Sequence, residues 1–237
     1  MKEHGNKNNM DEFMQIFFDQ IDNIALYETV KLSLQVSLSS VFFASLVGLP
    51  LAAVIATTRF AGKRFIVVML NTLMGLPPVV VGLLIYLLLS RAGPLGSLGI
   101  LFTPSAMIIA QTILIAPIIM GLARQIIENV WTDYSEQLTS LGIPKRSIIS
   151  ALLLDAKFSL MTIILAATGR ALSEVGSVMI VGGNIDGVTR VMTTAIALET
   201  SKGNLNFAIM LGIILISVIF TINGIIFFIK EYLESKQ

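Results

Sequence analysis

The sequence has no cysteine and few charged residues, which already excludes several classes of protein. Without cysteine there can be no disulfide and no thiolate chemistry. Charged residues make up 13% and hydrophobic residues 55% of the 237 positions, whereas soluble domains carry about 25% charged residues. The mean hydropathy is +0.85. This composition predicts an all-α, polytopic membrane protein, and a formal net charge of +1 without a basic block argues against binding to nucleic acid.

Motifs for nucleotide binding and hydrolysis are also missing. The chain has no G-x-x-x-x-G-K-[ST], no H-E-x-x-H and no G-x-S-x-G. Its single histidine, His4, lies in a polar N-terminal segment and is interpreted as a solvated residue rather than a metal ligand. Residues 1–9 lack the apolar core of a signal peptide. We therefore expect no enzyme activity, no metal site and no cofactor in this chain.

Five apolar segments are long enough to cross a bilayer, which takes about 20 residues. The predicted spans are 33–57, 65–90, 103–122, 158–182 and 207–229. We assign residues 30–229 to one transmembrane domain, preceded by an external tail over 1–29 and followed by a cytoplasmic tail over 230–237. No attached soluble domain is expected.

Lysine and arginine are concentrated in alternate loops, which predicts the orientation. The first loop contains Arg59, Lys63 and Arg64, and the long third loop over 123–157 contains four further basic residues. By the positive-inside rule these loops and the C-terminus face the cytoplasm, and the N-terminus faces outside. An odd number of spans agrees with ends on opposite sides of a cytoplasmic membrane.

The N-terminal tail has helical periodicity of its own. Its apolar residues recur every three to four positions, which is typical of an amphipathic helix. They are Phe13, Ile16, Phe17, Ile21 and Ile24. An interfacial helix on the outer leaflet is the favoured interpretation, and contact with a partner protein is the alternative. The acidic polar face argues against strong attraction to anionic lipid.

The third loop, 123–157, carries signals for two helices. Thr132 or Asp133 can cap a helix N-terminus, Gly142 can end that helix in the left-handed conformation, and Pro144 suits the start of the next. The pattern predicts a short helix, a sharp turn and a second helix that returns to the membrane. Because most connections between helices are far shorter, a docking function is favoured over an ordinary loop.

The run from Glu136 to Asp155 resembles the EAA loop of ABC importer permeases. Leu141 and Gly142 keep the register of that pattern after Glu136, whereas Gln137 and Leu138 stand where the pattern has two alanines and Asp155 stands where it has proline. The resemblance covers about residues 30–228 and implies the type I importer permease fold. It also implies that this loop docks onto a cytoplasmic ATPase. The implied docking residues are Glu136, Leu141, Gly142, Ile143 and Pro144.

Adjacent prolines, Pro77 and Pro78, interrupt the second predicted span. They remove two backbone donors and bend the helix, which a bilayer tolerates where the backbone faces protein or a water-filled cavity. Two interpretations of the adjacent prolines remain open: a simple kink, and a broken helix that lines a transport path. The run 75–96 resembles the second-span signature of molybdate and tungstate permeases, which favours the pathway interpretation.

Arg170 and Glu174 are four residues apart near the middle of the fourth span, and this spacing places them on one helix face. A charge there costs about 2.5–3.5 kcal/mol, so such residues usually pair and face the bundle interior. A structural ion pair and a gate or pathway element both remain open, and a charge swap would test pairing. The run 168–184 resembles the R-A-L-x-E-x-G signature of oxyanion permeases, with Ser173 at a variable place.

The segment 190–199 is a short amphipathic piece on the predicted outer side. It could be a re-entrant helix at the pathway, with Thr193 and Thr194 as candidate lining residues, a contact for a binding protein, or an ordinary external helix. The run 183–200 resembles the tungstate-type branch more than the molybdate-type branch of the permeases.

Together these resemblances imply the permease subunit of an ATP-driven ABC importer for tungstate. They also imply a homodimer, a cytoplasmic ATPase dimer that holds ATP and Mg, and an external oxyanion-binding protein. A molybdate or general oxyanion permease is the alternative of the same class. A non-transporting membrane scaffold is the alternative of a different class. A secondary transporter is disfavoured because no two halves of the chain mirror each other.

Overall fold

The computed structural model describes residues 24–236, which form helices and contain no β-strand. The all-α prediction is confirmed for this part of the chain. The helices are α1 (Ile24–Thr57), α2 (Lys63–Met74), α3 (Pro78–Leu89), α4 (Pro104–Ser140), α5 (Lys145–Asp155), α6 (Lys157–Leu172), α7 (Gly176–Gly182), α8 (Met192–Ser201) and α9 (Leu205–Glu234). His4 and nearly all of the predicted N-terminal interfacial helix lie outside the described residues.

Three described helices, α1, α4 and α9, are long and apolar enough to cross a membrane by themselves. Two bent pairs pass the same test together: α2 with α3, at 99°, and α5 with α6, at 72°. Five crossings therefore result only if each bent pair counts as one span. The predicted segment 158–182 is not one helix, because α6 ends at Leu172 and α7 begins at Gly176.

Helix α4 is the central element of the bundle. Over its most apolar 18 residues 56% are buried, against 11% for α9, which therefore lies at the periphery. The side chains of Ile119, Ala123 and Ile127 are fully buried at four-residue spacing in the largest apolar cluster, together with small residues of α1. Because this buried stripe continues past the predicted end of the third span at residue 122, packing extends the helix.

The predicted helix start at Thr132 or Asp133 is wrong. Both residues lie inside the continuous helix α4, and the Thr132 hydroxyl donates to the carbonyl of Glu128 at 2.8 Å within it. The buried stripe outweighs the local capping signal, because the Thr132 side chain bonds back to the preceding turn instead of capping a new helix N-terminus.

One end of the bundle, here called the lower end, gathers the α1–α2 loop, the second half of α4 and the end of α9. Lys63 Nζ lies 3.0 Å from Glu128 Oε1, and Lys230 Nζ donates to the Thr162 hydroxyl at 3.1 Å. The first contact joins the α1–α2 loop to the second half of α4, and the second joins the end of α9 to α6.

The opposite, upper end gathers the start of α1, the α3–α4 connection and α8. The backbone N–H of Met192 donates to the Ser33 hydroxyl at 2.8 Å. In the α8–α9 turn, Glu199 accepts hydrogen bonds from Lys202 at 2.8 Å and from Asn204 at 3.0 Å. The Lys202 bond above all holds the pKa of Glu199 below its usual value. The turn therefore keeps this stabilisation at neutral pH and loses it as the pH falls through the lowered pKa.

Helices α3 and α7 approach each other at backbone distance. A Cβ atom on Gly82 of α3 would lie 2.8 Å from Ser177 Cα and 3.2 Å from Ser177 O. Small residues permit such close crossings within membranes. The short helix α7 is thereby pressed onto α3, and the break before α7 is held in place.

We predict that replacing Gly82 with alanine or valine destabilises the bundle by about 1–3 kcal/mol, because the added methyl group meets backbone that cannot move aside. The midpoint of thermal unfolding in detergent measures the effect. The matched control is Gly169→Ala in α6, where a Cβ meets nothing within 4 Å. Equal midpoints for the two alanine variants would contradict the close α3–α7 contact.

Candidate functional site

A cleft beside the middle of α4 brings together two features that the sequence singles out separately. Its walls include the end of α2, the start of the proline break, aliphatic side chains of α4 and the charged pair of the α6–α7 region. The lining includes three residues at the end of α2 and the proline break, Leu73, Met74 and Leu76. It also includes three polar residues, Gln111, Arg170 and Glu174. The kinked second span and the interrupted fourth span therefore face the same space.

Glu174 organises the polar side of this cleft. Its side chain is 4% exposed, and its Oε2 accepts a hydrogen bond from Arg170 Nη1 at 2.8 Å. Its Oε1 accepts from the backbone N–H of Ser177 at 3.1 Å and lies 3.3 Å from the Ser177 hydroxyl. The ion pair expected from the four-residue spacing is present, but Glu174 lies in the break beyond the end of α6. It also supplies an acceptor to the otherwise unpaired N–H groups at the start of α7.

Gln111 is a site residue that sequence reasoning missed. It is 2% exposed, its Nε2 donates to the carbonyl of Ala171 at 2.9 Å, and its Oε1 accepts from the Ser40 hydroxyl at 3.1 Å. The signal was available, because Gln111 is the one amide in the apolar run from Pro104 to Gly121. A polar side chain in such a run normally bonds to a neighbouring helix.

The two prolines shape the cleft from the break between α2 and α3. Pro77 precedes α3 in an extended conformation, and Pro78 is the first helical residue, where the missing N–H costs nothing. Pro78 also lies beside α7, since a Cβ on Gly176 would be 3.6 Å from the Pro78 Cβ. The prolines therefore position α3 against α7 and are not themselves in the cleft lining.

The predicted hydroxyl residues do not line the cleft. Ser173 is exposed and donates to the carbonyl of Gly169 at 2.7 Å. Thr193 is buried and donates to the backbone carbonyl of Glu174 at 2.7 Å. Thr194, also buried, exchanges hydrogen bonds with the backbone of Val191 at the start of α8. Both threonines thus anchor α8 in this conformation.

The cleft is narrow in the single chain. The space that a water-sized sphere can enter is about 10 Å³, close to the minimum of about 10–15 Å³ for one water molecule. A tetrahedral oxyanion does not fit there. The positive charge of Arg170 is matched by Glu174, so the cleft carries no free cation.

A second candidate site is the turn between α4 and α5 at the lower end. Helix α4 ends at Ser140, Leu141 is 73% exposed, and Gly142 has a φ of +65° and donates its N–H to the carbonyl of Thr139. The left-handed glycine matches the prediction from the sequence. Pro144 directly precedes the first residue of α5.

This turn protrudes from a well-packed base. Ile148 and Leu152 of α5 are buried in the main apolar cluster together with alanines of α1, and Ile143 packs against the same cluster. Glu136 is exposed on the last turns of α4, beside a groove that Arg59 and Trp131 also line. An exposed apolar tip on a rigid base is suited to a groove on a partner protein.

Metal binding has no support in the described part of the chain. Among residues 24–236 no group of three or more His, Cys, Asp or Glu residues is placed to hold a metal ion.

The comparison with protein families agrees with this architecture. The family described as the inner membrane component of binding-protein-dependent transport systems matches residues 48–237. The chain belongs to this family. It is therefore a multi-pass inner membrane permease, as the sequence resemblance implies.

Individual relatives cover most of the chain. A tungstate uptake system permease protein TupB from Peptoclostridium acidaminophilum is 39% identical over 206 residues, 87% of this chain and 90% of the relative. The TupB of Campylobacter jejuni is 40% identical over 167 residues, 70% of each chain. A Haloferax volcanii protein named "Probable anion ABC transporter permease protein" is 40% identical over 205 residues, 84% of this chain and 88% of the relative. Sulfate and molybdenum permeases match at 25–31% identity.

We predict that removing one charge of the Arg170–Glu174 pair destabilises the protein more than removing both. Arg170→Gln leaves a buried carboxylate unpaired and should cost about 3 kcal/mol or more, whereas the double variant R170Q/E174Q should cost less because neither charge remains. The charge swap R170E/E174R should not restore stability, because an arginine at position 174 cannot accept the Ser177 hydrogen bonds. Thermal unfolding in detergent and the assembled fraction in membranes measure all three.

We therefore expect the charge swap to remain destabilised although the ion pair exists in the wild type. Its failure to restore stability would not argue against pairing. Wild-type stability of the swapped protein would contradict the role of Glu174 as an acceptor for α7. A double variant less stable than Arg170→Gln alone would contradict the ion pair.

Proposed function

We propose that this chain is the permease subunit of an ATP-driven ABC importer that carries tungstate across the cytoplasmic membrane. The observation that carries the proposal is the match of two tungstate uptake permeases at 39–40% identity over most of the chain. Permeases named for sulfate or molybdenum are more distant, at 25–31% identity. These relatives are transport permeases, so they give no support to the scaffold alternative.

In this proposal two copies of the chain form the translocation path between them. The narrow cleft supports this arrangement, since one chain does not enclose room for the ion. Each copy contributes a broken second span with Pro77 and Pro78 and a broken fourth span with Arg170, Ser173 and Glu174. In the described conformation Glu174 accepts from the Ser177 N–H at the start of α7 and Pro78 has no N–H, so helix-end N–H groups would bind the oxyanion only where a conformational change frees them. Thr193 and Thr194 would join the path only in another conformation.

The partner ATPase would grip the α4–α5 turn, with Leu141 and Gly142 at its tip and Glu136, Ile143 and Pro144 around it. ATP and Mg would be bound by that partner and not by this chain. Helix α4 connects the two sites: from Gln111 at the cleft to Ser140 at the turn it is one continuous helix, about 44 Å long at about 1.5 Å per residue. Pro117 lies between the two sites, so a displacement of the turn would reach the cleft along one helix that lacks a backbone hydrogen bond at the proline.

The lower end would face the cytoplasm, with the N-terminus outside and the C-terminus inside. The concentration of basic residues in the first and third loops supports this orientation. An external binding protein would then deliver the oxyanion at the upper end, near α8.

The deciding experiment is ATP-dependent uptake of labelled tungstate into vesicles that contain this chain with its ATPase and binding protein. We expect uptake that persists in the presence of excess molybdate and of excess sulfate. Abolition by molybdate would move the assignment to a general oxyanion permease. An active ATPase without uptake of any oxyanion would overturn the substrate class and leave the family membership intact.

We predict that Gly142→Val uncouples ATP hydrolysis from uptake. A β-branched residue with a φ near +65° is strained by about 1–2 kcal/mol, so the turn changes shape. A Cβ there meets nothing within 4 Å, so insertion and folding of the bundle should be unchanged. The ratio of tungstate imported to ATP hydrolysed is the measurement.

The matched control is Gly142→Asn, because asparagine adopts the left-handed conformation at low cost and should retain coupling. Wild-type coupling in the valine variant would contradict the docking assignment. Loss of coupling in the asparagine variant as well would show that a side chain, and not the backbone conformation, blocks the contact.

A further inference from the structure

A second groove at the lower end has a strongly positive lining. It lies between the α1–α2 loop and the second half of α4 and has a volume of about 720 Å³, within the range of roughly 300–1,000 Å³ typical of ligand sites. Its charged residues are Arg59, Lys63, Arg64, Arg124 and Glu128. Four cations face one carboxylate, so the groove carries a net charge of about +3.

The one carboxylate is already shared by two of the cations. Glu128 Oε1 accepts from Lys63 Nζ at 3.0 Å, and Glu128 Oε2 accepts from Arg124 Nη1. Within residues 24–236, Arg59 and Arg64 form no ion pair, and both are exposed. The network therefore holds Lys63 and Arg124 in place and leaves the positive charge of the groove largely unneutralised.

Buried and backbone donors in this groove also lack partners. Arg124 is 9% exposed, and its Nε has no hydrogen-bond partner in the described part of the chain. Helix α2 begins here after Gly62, which has no side chain to cap it, and the N–H groups of Arg64 and Phe65 have no acceptor among the described residues. The uncapped N–H groups at the start of α2, together with the exposed guanidinium groups of Arg59 and Arg64, form an arrangement that binds phosphate oxygens.

The other wall of the groove is apolar and open to the outside of the bundle. Val67 and Val68 line it together with Phe60. The exposed fraction is 62% for Val68, 72% for the neighbouring Phe65 and 51% for Met69. These side chains lie on the first turns of α2, at the end of a bent pair that is long and apolar enough to cross a membrane. A position at the end of such a pair fits the depth of lipid headgroups, with apolar side chains available to hydrocarbon directly beside the groove.

We propose that this groove binds an anionic phospholipid, with its phosphate on Arg59, Arg64 and the N–H groups at the start of α2 and its acyl chains along α2. Basic pockets between membrane helices commonly hold such headgroups. A soluble anion or an acidic protein segment would satisfy the cations but leave Val68 and Phe65 without contact. The phosphate of a phospholipid matches the basic wall, and its acyl chains match the apolar wall. This double match favours a phospholipid over the other two occupants.

The bound lipid would brace the base of the α4–α5 turn, because Arg124 and Glu128 lie on the same helix as that turn. The inference rests on membership of the membrane permease family and on neither the tungstate assignment nor the dimer. Its failure would leave both of those proposals unaffected.

The test uses the full chain, purified in detergent and titrated with equal amounts of phosphatidylglycerol and phosphatidylcholine of the same acyl chains. Native mass spectrometry then measures which lipid stays bound. We expect preferential retention of phosphatidylglycerol. The variant R59Q/R64Q should reduce that retention about 25-fold, since each cation near an anionic headgroup contributes about fivefold. Neither arginine is in an ion pair, so the thermal midpoint should not change.

The matched control is K157Q/K236Q, which removes two cations from elsewhere in the chain and should keep wild-type retention. Equal retention of the two lipids by the wild type would overturn the proposal, as would full retention by R59Q/R64Q. Displacement of phosphatidylglycerol by inorganic phosphate or glycerol phosphate alone would show that the acyl chains contribute nothing. If R59Q/R64Q retains phosphatidylglycerol but no longer co-purifies with the ATPase when the two proteins are expressed together, the groove is a protein docking surface instead.

Discussion

The buried carboxylate of Glu174 is the contact on which the arrangement of the bundle depends. A charge in this environment is stable only if it is paired and hydrogen-bonded, and here α6 and α7 supply those partners, while α8 bonds to the backbone of the same residue. Arg170 comes from α6, Ser177 from α7, and Thr193 of α8 binds the backbone carbonyl of Glu174 itself. The carboxylate therefore holds α6 and α7 together across the break, and the backbone carbonyl of Glu174 holds α8 beside it.

The same requirement explains where the chain is irregular. Backbone groups inside a bilayer must find partners within the protein, so breaks occur only where protein covers them. The gap before α7 is closed by Glu174, and the gap before α3 falls at prolines, which have no N–H to satisfy. Gly82 then allows α3 and α7 to meet at backbone distance. The two breaks thus support each other, and the cleft between them is a consequence.

Helix α4 connects the regions to which functions are proposed. Its first half provides Gln111, which bonds to Ser40 and to the carbonyl of Ala171 beside the cleft. Its second half carries the Arg124–Glu128 pair and ends in the exposed turn. Because the helix is continuous, the proposed substrate path, lipid groove and ATPase contact lie along one element, with Pro117 between the first of them and the other two. Helix α9, with 11% of its most apolar window buried, contributes little to any of them and mainly presents an apolar outer surface.

Local sequence determined the helix-ending conformation of Gly142, the bend at Pro77 and Pro78, and the pairing of Arg170 with Glu174. Each of these follows from a property of one residue or from a spacing of four along the chain. Composition likewise determined the helical membrane class, and the motifs indicated the permease family that the comparisons confirm.

Only the tertiary structure decided how those features are combined. That α4 runs through Thr132 depends on buried contacts of Ile127 with other helices, which no local signal reveals. That Thr193 anchors α8 rather than lines the cleft depends on the carbonyl of Glu174, 19 residues earlier in the chain. The basic groove, too, exists because Lys63 and Arg124 meet at Glu128. Contacts between distant segments depend on how the helices pack in three dimensions. A single sequence indicates which residues are buried, but it does not indicate which residues they are buried against.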